Sequence, residues 1–216
     1  MKKLTFVVGI SAALVMTVFA TKYLAAKPVL PQPEHALYYQ EPRAIKPFEL
    51  ESHKGQRFTN QQLQGKWTWV FLGYTSCPHI CAPTLQKFST AYQELTTINP
   101  NSQVIMVSVD PQRDSKPVLT DFVEHFNKDF IALRGEHGSV FPFSQNLGLM
   151  YVIADSEENT ADSMYMVDHS SSVVLINPAG KIAAIFKPDH QVGEMPLVTE
   201  ESMVSDFDKI NALYAD

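Results

Sequence analysis

Cysteine is nearly absent from this chain of 216 residues, which holds only Cys77 and Cys81. Two thiolates alone cannot close a four-ligand metal site, so any such site must borrow imidazole or another donor. Positive charge is also scarce: 17 Lys and Arg stand against 23 Asp and Glu, a formal net charge of -6. No basic run occurs beyond the first few residues, which argues against a general nucleic-acid binder, since such proteins gather cations to neutralise phosphates. No internal repeat is visible, and the length suits one good core with an appendage.

What is present begins with a long apolar run. Lys2 and Lys3 precede the uncharged stretch Leu4 to Ala20, and Tyr23 to Ala26 extend it past Lys22. This reads as an export signal or, preferably, an uncleaved membrane anchor over residues 1–26, with the lysines cytoplasmic and the rest outside. Residues 27–47 carry five prolines and little periodicity, which predicts an extended spacer lifting a domain at 48–216 off the membrane.

From Phe48 the pattern is that of a folded domain. "PFELES" and "QRFTN" flank a hairpin turn, and "WTWVFLGY" (67–74) is the apolar, aromatic run of a buried central strand. Leu85, Phe88, Tyr92 and Leu95 recur at helical spacing until "INPN" stops them. A strand "QVIMVSVD", a loop "PQRDSKP" and a helix "VLTDFVEHF" follow, then a strand "FIALRG", a helix near 139–147 and a polar loop at 154–163. "SSVVLINPAGKIAAIF" predicts a hairpin around a type I turn at Asn177 to Gly180, and a helix over about 200–213 closes the chain. The class is α/β, a mixed sheet with helices on both faces. Its element order is that of a thioredoxin-like fold.

The two cysteines sit where the buried strand ends and a helix begins, in "GYTSCPHICAPTLQKF". Unpaired N–H groups at a helix N-terminus stabilise thiolates, raising both reactivity and metal affinity. At i and i+4 the sulfurs can share a face, which suits a disulfide and chelation equally. A purely structural bridge across so short a loop removes little entropy from the unfolded chain and would be a weak staple. Sulfur with imidazole suits Cu(I), Cu(II) or zinc. Of the seven histidines, His35, His53 and His190 read as solvated residues, and His125 and His137 as surface or capping residues. His79, between the cysteines, would point away from their shared face on a helix. His169 ends "MYMVDH" at the entrance to a strand, with Asp168 beside it to orient the imidazole.

Three motifs together give a resemblance to a family. Cys77-Pro78-His79-Ile80-Cys81, Asp110-Pro111-Gln112-Arg113-Asp114 and Tyr165-Met166-Val167-Asp168-His169 resemble, in order and spacing, those of the Sco/SenC copper proteins, from about Phe48 to the C-terminus. The resemblance implies a thioredoxin-like domain tethered to the membrane, with copper, as Cu(I) or Cu(II), held by Cys77, Cys81 and His169. It further implies delivery of copper to the dinuclear site of cytochrome c oxidase subunit two or another recipient, or reduction of that site's cysteines. Implied partners are that recipient, other copper chaperones, thiol reductants and the membrane, with the domain in the periplasm or an equivalent compartment. Asp110 and Pro111 are expected to shape the strand exit and Asp114 to cap the next helix. The chain departs from the family where His79 stands at an often acidic position and where Pro83 lies one place later than usual. Met164 and Met166 are read as packing residues rather than transient copper contacts.

Two other classes remain open from the residues. Cys77 and Cys81 can cycle as a dithiol and disulfide in an oxidoreductase. A peroxiredoxin-like peroxidase also uses such a fold, but "FLGYTSC" lacks the proline such enzymes carry upstream of the attacking cysteine.

Overall fold

The computed structural model describes residues 30–153, 165–189 and 195–215. The expected anchor at 1–26, the first residues of the expected spacer, the polar loop at 154–163, Met164 and His190 lie outside the described residues. Among the described residues no helix is long and apolar enough to cross a membrane.

The core is built on two fully buried parallel strands, β4 (Trp67–Gly73) and β5 (Ser102–Ser108), paired residue for residue from Trp67 and Ser102 to Gly73 and Ser108. Both are continuous β-branched and apolar runs, the pattern of strands covered on both faces. β6 (Ile131–Arg134) extends them in parallel, and the antiparallel hairpin β9 (Val173–Ile176) with β10 (Lys181–Phe186) closes on the other side of β4. The order β10-β9-β4-β5, with its parallel pair and antiparallel hairpin, is the thioredoxin-like arrangement. β2 (Glu49–Ser52) and β3 (Arg57–Thr59) form the expected hairpin beyond β6.

Alternation along β4 sends Trp67, Trp69 and Phe71 to one face and Val70 and Leu72 to the other. On the first face lie helices α1 (Cys81–Ile98), α2 (Lys116–Phe126) and α4 (Glu200–Ala215), through Leu85, Phe88, Leu119, Val123, Phe207 and Ile210. α3 (His137–Leu147) covers the second with Val140, Phe143 and Leu147. Helices therefore occupy both faces, as the sequence predicts.

Two elements differ from expectation. Residues 36–44, expected in the spacer, form the edge strand β1 (Ala36–Ala44), antiparallel to β10. Pro42 lies within a register irregularity between Tyr38 and Arg43, and an edge strand tolerates a missing N–H at such a place. Gln32 onward forms one compact unit. The second is a separate two-stranded sheet, β7 (Tyr151–Ile153) with β8 (Val167–His169), which pairs Tyr151 with His169.

The start of β1 is tied to α4 by one carboxylate. Buried Asp206 accepts from the backbone N–H groups of Glu34, His35 and Ala36 at 2.9, 2.6 and 2.8 Å. Burial alone would raise its pKa, but these donors hold it below the ordinary value of 3.8. A depressed folded pKa means stability that is present above the unfolded pKa and lost as pH falls through the folded one. The Asp206→Asn variant should therefore be less stable than wild type near neutrality by about 1–2 kcal/mol, with the gap narrowing from about pH 4 downward. Urea unfolding of both proteins across that range checks this.

Candidate metal centre

β4 delivers the chain at Gly73 and Tyr74 to the loop that carries Cys77, and α1 opens at Cys81. Gly73 keeps this approach close: an added Cβ would stand 3.1 Å from the Met106 sulfur and 3.3 Å from that of Cys81, so these side chains would have to give way slightly. Pro83 falls in the first turn of α1, where its missing N–H forfeits no bond. Residues 78–80 precede the helix. Against the expectation from the sequence, His79 is therefore not turned away by a helical i+2 position; it is exposed and lines the same cleft as Cys77 and His169.

Cys77, Cys81 and His169 bring their ligand atoms within 4.8 Å of one another. His169 Nε2 lies 4.0 Å from the Cys77 sulfur and 3.5 Å from that of Cys81, and both cysteines are unbridged. The imidazole's Nδ1 is 3.2 Å from the Ser170 carbonyl. A carbonyl only accepts, so Nδ1 carries the proton and Nε2 turns its lone pair toward the sulfurs. Ser170 thus orients the ring in place of Asp168, whose side chain is exposed on β8.

The cysteines differ in environment. Cys81 is buried and Cys77 half-buried. The Cys77 pKa falls well below the usual thiol range, chiefly because Cys81 donates to it, with further help against burial from the backbone N–H groups of His79 and Ile80. The same contact, with burial, pushes Cys81 upward and keeps it a thiol.

Asp114 is a buried acceptor beneath the loop, not a helix cap. It accepts from the Thr75 hydroxyl at 2.6 Å, the Ser108 hydroxyl at 2.5 Å and the Thr75 N–H at 3.1 Å. Burial raises its pKa and these donors oppose the rise. The helix that follows begins at Lys116 after Ser115.

A second network fixes the hairpin that carries His169. Tyr165 donates to Asp110 at 2.5 Å, and the guanidinium of Arg113 pairs with the same carboxylate while lying 3.9 Å from the Tyr165 ring centroid and 5.4 Å from that of Tyr74. Burial and the Asp110 carboxylate push the Tyr165 hydroxyl up to about 12. The Tyr74 hydroxyl accepts from Val167 N–H at 3.4 Å, and its ring meets that of His169 edge-on at 5.8 Å. Motif spacing flagged Asp110, Arg113 and Tyr165, whereas nothing in the sequence singled out Tyr74, which reads as one more strand aromatic.

The other histidines lie elsewhere. His53, expected to be solvated, is buried, with Nδ1 accepting from Ala132 N–H at 3.1 Å. His137 meets the Tyr151 hydroxyl at 2.9 Å, and His35 and His125 are exposed. Met166, expected to pack, is 48% exposed.

Three comparisons bear on this geometry. Residues 38–203 match the family model described as SCO1/SenC. The chain is 30% identical over 148 residues to an SCO2-like protein of Rickettsia felis, covering 68% of this chain and 71% of that protein. It is 29% identical over 151 residues to the human protein "SCO1 homolog, mitochondrial", covering 69% of this chain and 49% of the human one, so the match spans about half that relative's length. Among solved structures it is similar to Arabidopsis thaliana ScoI with copper bound, with TM-score 0.66, 26% identity, and coverage of 79% of this chain and 99% of that one.

Proposed function

The chain belongs to the SCO1/SenC family, and from that premise we propose that it is a copper metallochaperone whose cargo is held by Cys77, Cys81 and His169. The observation that carries this reading is the convergence of two sulfurs and one imidazole lone pair within 4.8 Å. Metal–ligand bonds of roughly 2.0–2.3 Å place the donors of a three-coordinate centre roughly 3.5–4 Å apart, which matches the separations of 3.5 and 4.0 Å. Thiolate and imidazole donors suit copper. Capture is ligand exchange without redox change: Cys77 binds as thiolate, and Cys81 gives its proton to solvent as its bond to copper forms. Release reverses these steps as a partner's ligands take over one position at a time.

The proposed recipient is the dinuclear copper site of cytochrome c oxidase subunit two. The apolar N-terminal run would tether the domain to a membrane, on its periplasmic or equivalent side. A second reading has its own support in the contrast between a low-pKa, half-buried Cys77 and a buried Cys81 thiol. In that reading the Cys77 thiolate attacks a disulfide in the recipient and forms a mixed disulfide. Cys81 then loses its proton and attacks the Cys77 sulfur, so two electrons pass to the recipient and the pair is left oxidised until a thiol reductant restores it.

Only the dithiol can take up metal, which gives the test. The reduced chain should take up one tightly held copper ion, and the chain oxidised to its intramolecular disulfide should take up none at that site. Equal tight uptake by both forms, followed spectroscopically, would remove the cysteines from the site.

A further inference from the structure

Cys77 and His169 open onto a cleft of about 140 Å³, lined also by His79, Ile80, Met166 and Asp168 among others. Its donors form a gradient of burial: His79, Met166 and Asp168 are exposed, Cys77 and His169 half-buried, and Cys81, which does not line the cleft, is buried. Met150, Met166 and Met195 are all exposed, and of these three only Met166 bounds this cleft, which sets its thioether beside the other donors. Its backbone lies immediately before β8, and its side chain bounds the same cleft as His79, which the non-helical course of residues 78–80 leaves there.

We propose that His79 and Met166 form a second, weaker Cu(I) site at the mouth of this cleft, an entry point from which the ion passes inward. The proposal rests on the reading of Cys77, Cys81 and His169 as the inner copper site. A neutral thioether selects Cu(I) over harder divalent ions, and imidazole serves it equally well. Neither donor brings a negative charge, so this pair holds the ion less firmly than two cysteine sulfurs and an imidazole. Asp168 on the rim contributes negative charge that concentrates cations at the opening. An incoming Cu(I) ion meets the exposed donors first, then Cys77 and His169, and Cys81 last. Each step replaces one ligand by another, the copper remains Cu(I), and the Cys81 proton leaves to solvent as the final bond forms.

The test is a titration of the reduced full chain with Cu(I) against a chromophoric Cu(I) chelator. Wild type should show two steps, one tight and one weak. His79→Ala and Met166→Leu, both at exposed positions, should each weaken the second step at least tenfold, and Cys77→Ser with Cys81→Ser should abolish the tight step but keep the weak one. A wild type with only the tight step, or a weak step that survives both outer substitutions, overturns the outer site while leaving the inner reading intact. A wild type whose only step is weak and sensitive to His79 and Met166 keeps the outer site and overturns the inner one. No uptake at all overturns both.

Discussion

His169→Ala is expected to weaken copper binding at least about 100-fold, because loss of a direct ligand should exceed the 10- to 100-fold typical for a ligand's outer-shell partner. The geometry behind this is unequal: Nε2 is 3.5 Å from the buried Cys81 sulfur and 4.0 Å from the half-buried Cys77 sulfur. Without the imidazole only the two sulfurs hold the ion, and the place left by His169 opens onto the cleft, to water and competing ligands. The same substitution should barely change dithiol cycling, since the largest influence on each cysteine is the other cysteine. Copper affinity by chelator competition and the midpoint of the dithiol equilibrium in a glutathione buffer therefore move independently in this variant. If both collapse together, His169 holds the loop in shape and does not bind the ion. Ser170→Ala should leave affinity nearly unchanged, because the group that orients the ring is a backbone carbonyl.

Asp114→Ala should be the most damaging single change to stability near the site, about 3–5 kcal/mol. It removes the acceptor for three donors, the Thr75 N–H, the Thr75 hydroxyl and the Ser108 hydroxyl. Ser108 is fully buried, so its hydroxyl has no water to turn to, and an unmet buried donor costs about 1–3 kcal/mol. Asp114→Asn restores an acceptor oxygen but sets an NH2 group against donors, so it should recover only part of the loss. Thr75→Val removes one donor and leaves the Ser108 contact and the Thr75 N–H, and should cost about 1 kcal/mol. Urea unfolding of the three variants gives this ranking. Equal losses for Asp114→Ala and Thr75→Val would mean that the carboxylate does not hold the loop.

Much of this architecture is legible in residue order. β4 and β5 announce themselves as apolar runs, and the β9–β10 hairpin by its Asn177 to Gly180 turn, in which the Gly180 N–H donates to the Asn177 carbonyl at 2.8 Å. The Cys pair is legible because a buried strand runs straight into it, and His169 because three motifs fall in order. What stays hidden depends on contacts between distant residues. β1 is masked by prolines and gains its place from Asp206, 170 residues from Ala36. The β7–β8 sheet is three residues wide on each strand, too short to show a period. The burial of His53 and Asp114 arises from β6 and from the Cys loop folding over them, and local sequence describes neither.

The central claim is that copper is held by two sulfurs and one imidazole nitrogen of this chain. X-ray absorption at the copper edge of the reduced, singly loaded protein measures that donor set directly. Two sulfur scatterers and one imidazole nitrogen are expected, with the imidazole signal lost in His169→Ala. A first shell of nitrogen and oxygen only, or an imidazole signal that persists in His169→Ala, would contradict that donor set.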